Sequence, residues 1–202
     1  MFKIDGYKYC TYLIGAMEKP KEKDDGQSQR TEVENELILR GIYPINPVRL
    51  EAMKTGMSTD EVKEKMNGWL ASGNWELFGA KSKEIWKGKY YIDSVKGIMH
   101  IPGDEDYCLI SDWLTFTLHK GDIPCGSYAE CGIGMRYDKP LYLITDMPKK
   151  ELPKSLIQMV LNTNGEVFPT VGKYLEFIDE KFKLHRKEPK PEPEQKEEKK
   201  NE

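Results

Sequence analysis

Gly126-Ser127-Tyr128-Ala129-Glu130-Cys131-Gly132-Ile133-Gly134-Met135, followed by Lys139-Pro140-Leu141-Tyr142-Leu143-Ile144-Thr145, decides how this chain folds. It reads as a glycine-containing loop, a helix with one glutamate on its first turn, and a buried strand. Upstream, residues 113–118 (WLTFTL) form another apolar, β-prone run. Glu130 has two readings. In the first, Ser127-x-x-Glu130 has capping-box spacing with Ser127 as the N-cap, and Glu130 serves its own helix end. Alternatively it is a catalytic carboxylate held beside a ligand.

The alternation extends outward. Residues 9–17 (YCTYLIGAM) read as a buried first strand ending near Gly15-Ala16. Residues 19–26 are charged and contain Pro20 and Gly26, which makes a loop. Val33, Leu37 and Ile38 recur at helical spacing within 27–40, and Gly41 stops that helix. Residues 42–47 (IYPINP) read as a second strand ending in a turn, which completes a βαβ unit. Ser58-Thr59-Asp60-Glu61 opens another helix with capping-box spacing, and Val62, Met66, Trp69 and Leu70 share one face. Residues 104–111 predict a short helix, 153–161 a helix, 167–168 a short strand and 171–182 a last amphipathic helix. The expected fold is α/β, Rossmann-like or flavodoxin-like, with a mostly parallel sheet and helices on both faces.

One domain over residues 1–185 is expected, with an aromatic-rich insertion at about 51–100 and a charged, disordered tail at 186–202. Trp75, Phe78, Trp86, Tyr90 and Tyr91 lie among glycines and lysines in the insertion. They either pack on the body or form a lid or subunit contact. The tail consists of Arg, Lys, Glu, Pro, Gln and Asn and cannot bury apolar surface.

A net charge of -3 across 202 residues argues against a nucleic acid polymer or an anionic membrane surface as partner. No apolar run approaches a membrane span, and residues 1–6 begin no secretory leader. Cys10, Cys108, Cys125 and Cys131 are scattered without CxxC spacing, which suits reduced thiols and a cytoplasmic setting. His100, His119 and His185 show no metal-ligand spacing, so no metal and no cofactor is expected. No Walker or dinucleotide glycine fingerprint follows the first strand. Arg30 could meet a phosphate, but the polar sequence around it reads as a solvated helix face.

Ligands of open α/β sheets bind beyond the carboxyl ends of the strands. That rule gathers Gly15 and Ala16 from the first strand, Asn46 from the second, the loop at 121–127 from the third, and Glu130. In sequence, Tyr12-Leu13-Ile14-Gly15-Ala16-Met17, Gly41 to Pro47 (GIYPINP), Asp112 before WLTFTL, and Gly126-Ser127-Tyr128-Ala129-Glu130-Cys131-Gly132 together resemble the nucleoside 2-deoxyribosyltransferase superfamily. The last segment is similar to that family's G-[ST]-x-x-E-x-G signature.

The resemblance implies that Glu130 is a nucleophile in cleavage of an N-glycosidic bond. It implies a second acid at Asp104, with Asp106 close enough to exchange with it, and places Asp112 before the third strand. Gly126 and Ser127 would hold the sugar or a 5′-phosphate at a helix N-terminus. The implied partner is a small nucleoside or nucleotide, with sugar transferred to another base or to water. A homo-oligomer is implied as well, because family members complete their sites across subunits. Two departures are visible. Pro124 stands where monophosphate hydrolases of the family commonly carry serine, and Leu13 stands where transferases often carry tyrosine. Tyr12 is one position off and is expected to point to the other face. A non-catalytic nucleotide-binding module on the same fold is the alternative function, and a structural or interaction protein using the tail and insertion is a third.

Overall fold

The computed structural model describes residues 6–15, 27–122 and 125–188. Ala16, Pro124 and the tail beyond residue 188 lie outside the described residues. Five strands form the main sheet: β1 (Tyr9–Gly15), β2 (Ile42–Ile45), β5 (Trp113–Leu118), β6 (Leu141–Thr145) and β7 (Glu166–Phe168). Their spatial order is β2-β1-β5-β6-β7, and every neighbouring pair is parallel. This is the flavodoxin-like order, which reverses direction between β1 and β5. A separate antiparallel ribbon joins β3 (Lys89–Asp93) to β4 (Gly97–Ile101).

Parallel strands buried on both faces read as continuous apolar runs, and β5 and β6 are buried at every position. Successive side chains serve opposite layers. Tyr12, Ile14, Leu114 and Phe116 pack towards α5 (Asp104–Ile110), α6 (Cys125–Arg136) and α7 (Lys154–Asn162). Leu13, Trp113 and Tyr142 pack towards α1 (Gln27–Leu39) and α8 (Val171–Phe182). The buried threonines of that second layer are satisfied by one another and by α8. Thr11 and Thr115 hydroxyls lie 2.9 Å apart, Thr115 meets the Tyr174 hydroxyl at 2.7 Å, and Trp113 Nε1 donates to the same hydroxyl at 3.1 Å.

Residues 47–101 add α2 (Pro47–Thr55), α3 (Thr59–Ala71), α4 (Trp75–Lys87) and the ribbon, none of which joins the main sheet. The turn read at Asn46-Pro47 is the start of α2. The Asn46 side chain accepts the Val48 N–H at 3.2 Å, and proline occupies the first helical position, where its missing N–H costs nothing. The capping box expected at Ser58 and Glu61 is present. In the aromatic-rich stretch, Asn74 caps α4 by accepting the Leu77 N–H, and Gly88 ends it with φ 73°. Asp93 Oδ1 then accepts the N–H groups of Val95 and Lys96 to turn the ribbon.

At the carboxyl end of the described chain, Arg186 binds both carboxylate oxygens of Glu36, and the Lys187 N–H meets Leu39 O at 2.9 Å. The first residues assigned to the tail therefore lie against α1. No helix among the described residues is long and apolar enough to cross a membrane.

Candidate active site

The crevice of a doubly wound sheet opens where the strand order reverses, here between β1 and β5. Three elements meet beside it on one face of the sheet: β1, the N-terminus of α5 and the second turn of α6. Tyr12 is fully buried, and its hydroxyl donates a 2.7 Å hydrogen bond to Glu130 Oε1. α6 begins at Cys125, so Ser127 is its third residue rather than its N-cap, and Glu130 lies one turn further in. The capping-box reading of Ser127 and Glu130 is therefore corrected. The glutamate is aimed at β1, not back at its own helix end.

Asp104, the first residue of α5, is buried and faces the same tyrosine. Burial pushes its carboxyl up to about 6, against the opposing pull of the Lys54 charge and a hydrogen bond from Tyr12. Burial likewise pushes partly buried Glu130 up to about 8. The Tyr12 hydrogen bond and the Arg30 charge oppose that rise, and the Asp104 charge adds to it. Burial beside these two acids holds the Tyr12 hydroxyl well above its ordinary range, so it remains a neutral donor. Cys108 and Cys131 are buried near Glu130, and burial raises both thiols, leaving them as neutral apolar wall.

Asp106 has a different task. Its carboxylate accepts the Gly103 N–H at 2.9 Å at the start of α5 and lies 3.6 Å from His100 Nε2. Of the two aspartates that the sequence left exchangeable, Asp104 is the one directed at Tyr12.

Arg30 is only 4% exposed, which corrects its reading as a solvated helix residue. Its guanidinium lies over Gly15, where a Cβ would collide with it. Glycine ends β1 there because an arginine takes the space. Ser127 is buried on the first turn of α6, beside exposed Gly126. Two other candidates are not brought to the acid pair. Asn46 donates to Glu34 Oε2 at 2.9 Å, while Glu34 also meets Arg49 at 3.2 Å. Asp112 lies at the amino end of β5, where its carboxylate accepts the Cys10 N–H at 2.8 Å and its own N–H returns to Cys10 O.

Sequence reasoning set aside two residues beside the pair, Tyr12 and Arg30, and did not weigh a third, Lys54. The alternation of β1 held the signal for Tyr12. The side chain shares a face with Ile14, and that face is covered by α5 and α6. Lys54 lies on α2, with its ammonium 5.0 Å from the centre of the Tyr107 ring on α5.

Chemically, the arrangement is two carboxyl groups joined through one hydroxyl in a weakly solvated crevice, with an arginine and a helix N-terminus beside them. Such a pair holds one proton readily and two negative charges poorly. Among the described residues, no group of three or more His, Cys, Asp or Glu side chains is placed to hold a metal ion. No family profile matches the chain, and no curated protein matches its sequence. Among solved structures, the chain is similar to the CMP N-glycosidase BcmB of Clostridium botulinum, with 10% identity, a TM-score of 0.43, and coverage of 84% of this chain and 98% of that one.

Proposed function

We propose that this chain cleaves the N-glycosidic bond of a (deoxy)nucleoside or its 5′-monophosphate, with Glu130 as nucleophile and Asp104 as general acid. The observation that carries the reading is the Tyr12 hydroxyl, bonded to Glu130 and within hydrogen-bonding reach of Asp104 at the sheet's switch point.

A hydroxyl has one proton to give. When Tyr12 donates to an ionised Glu130, its oxygen is free to accept from a protonated Asp104. That microstate is the one the reaction needs. The Glu130 carboxylate attacks the anomeric carbon, the carbon–nitrogen bond breaks, and its electron pair leaves with the base. Asp104 delivers its proton to the departing base. Water or a second base then attacks the glycosyl-enzyme and frees Glu130, while Asp104 recovers a proton.

The higher proton affinity of Glu130, about 8 against about 6, favours the opposite placement at rest. A concerted shift through Tyr12 interconverts the two. Oxocarbenium character at the anomeric carbon then favours the ionised glutamate in the transition state. Ser127 and the backbone at the start of α6 would hold the sugar or its 5′-phosphate. Arg30 adds positive charge on the same side.

The test is incubation with a panel of deoxynucleosides and 5′-monophosphates, following release of free base. Release that vanishes in Glu130→Ala supports the enzyme. Tight binding without release from any substrate sinks it in favour of a nucleotide-binding module.

A further inference from the structure

Helices α2 and α5 face each other beside Asp104. On α2, Leu50 seats the helix against the core layer that also takes Tyr43 and Tyr107. Lys54 stands one helical turn on from Leu50, and Glu51 shares that side three residues before it. On α5, Asp104 and Tyr107 are likewise three residues apart and share a face. The Lys54 ammonium lies 5.0 Å from the centre of the Tyr107 ring, so the two faces meet. Lys54 and Glu51 are the α2 charges felt at Asp104, with opposite signs. They are not equally engaged. Glu51 is paired with Lys81 of α4 at 2.7 Å, both side chains 13% exposed, which offsets its charge. Lys54 is ion-paired to no carboxylate among the described residues, and its charge is left to face the acid.

We propose that Lys54 is a positioning residue for the acid step, its ammonium held on the Tyr107 ring so that Asp104 gives up its proton beside a fixed positive charge. The inference rests on the proposed glycosidase activity, with Asp104 as its acid. As the carbon–nitrogen bond breaks and its electron pair leaves with the base, the Asp104 proton passes to the base and the carboxyl becomes a carboxylate. A carboxylate forms poorly in a buried site, and Asp104 is only 9% exposed. Water offsets that charge weakly there, whereas an ammonium already in place does so without reorganising. Lys54 keeps its own protons throughout and need not touch the substrate. The other ionisable groups around Asp104 do not supply this charge. Tyr12 has one proton to share between Asp104 and Glu130, and Glu130 and Glu51 are acids. Lys81 is engaged with Glu51 and Glu84, and Lys87 with Glu105. His100 faces Asp106, which accepts the Gly103 N–H.

NMR titration of the side-chain carboxyls tests this on the full chain, with aspartate isotopically labelled and the Asp104 signal identified by its loss in Asp104→Asn. In Lys54→Met, which keeps the stem, the Asp104 midpoint should rise by roughly one pH unit, and Lys54→Arg should restore it. Glu51→Gln should move it the other way. A loosened fold cannot produce both signs, and either variant decides alone should the other fail to fold. In the base-release assay Lys54→Met should lose roughly 10- to 100-fold in kcat with KM unchanged, and Lys54→Arg should recover most of it. An Asp104 midpoint that stays put in Lys54→Met overturns the proposal. So does a loss that falls on KM alone, which would make Lys54 a binding group for the base. A wild-type chain that releases no base from any substrate overturns the glycosidase reading and the acid step with it. The titration tells that failure apart, because Asp104 would still respond to Lys54.

Discussion

Tyr12 is where a change of one atom should be most informative. Its one proton stabilises whichever of Glu130 and Asp104 is ionised while its oxygen accepts from the other, so Tyr12→Phe removes a bond that favours the singly protonated pair. The pair is singly protonated between about 6 and about 8, and base release by the wild-type chain should follow a bell peaking near neutrality. In Tyr12→Phe the acid limb should move to higher pH and the bell should narrow, with kcat lower by roughly 10- to 100-fold as the proton path between the acids is cut. A pH profile of kcat/KM for the two proteins checks this, and unshifted limbs would remove Tyr12 from the pair. Glu130 and Asp104 were legible in sequence because a signature and a spacing pointed to them. Tyr12 was not, because a displacement of one residue along a strand moves a side chain to the other face, and the family position fell on Leu13. Arg30 was hidden for a different reason. It shares the inward face of α1 with Val33 and Leu37, but an arginine on such a face ordinarily snorkels to solvent, and the space over Gly15 that holds its guanidinium is set by tertiary contact.

At the scale of elements, close backbone approach at a few glycines fixes how neighbouring elements pack. Gly165, just before β7, has its missing Cβ directed at the Leu141 backbone carbonyl, which cannot move aside within the sheet. At Gly15 the obstacle is the end of the Arg30 side chain, which can swing. Gly165→Ala should therefore cost at the upper end of about 1–3 kcal/mol or more. Gly15→Ala should cost less stability but more activity, as Arg30 leaves Glu130. Ser58→Ala is a useful contrast. It removes an exposed cap from α3, far from any close approach, and should cost about 1 kcal/mol with base release unchanged. Urea unfolding alongside the base-release assay separates the three. β5, β6 and α8 were legible as elements because unbroken apolar runs or a clear helical period fix them. The stretch from 71 to 96 was not. α4 fully buries none of its residues, with Trp86 packed half-buried against the core, and the following ribbon exposes the side chains that usually mark a strand.

For the whole molecule, the acid pair sets activity and stability against each other along the pH axis. Glu130 is raised from 4.5 to about 8 and Asp104 from 3.8 to about 6, so the folded chain binds their protons more tightly than the unfolded chain does. Their contribution to stability is complete below the unfolded values and is lost as pH rises through the folded ones. Glu36 works in the opposite sense. Arg186 and Arg40 hold its carboxyl down at about 2, so its contribution is present above 4.5 and lost as pH falls towards 2. The two trends cross at about pH 4, so maximal stability lies well to the acid side of the activity maximum and falls from there through neutrality. Across the interval up to pH 8, each fully differential proton accounts for about 1.4 kcal/mol per pH unit, a ceiling that solvent reach at Glu130 reduces. Urea midpoints measured from pH 4 to 9 should therefore fall on the alkaline side while base release is still near its peak. In Glu130→Gln, which has no carboxyl to ionise, that fall should be shallower and the protein more stable than wild type at pH 8 by about 1–3 kcal/mol, though inactive. Wild-type midpoints that stay flat or rise between pH 5 and 8, or a Glu130→Gln curve parallel to the wild-type one, would show that burying these two acids is not what opposes folding at neutral pH.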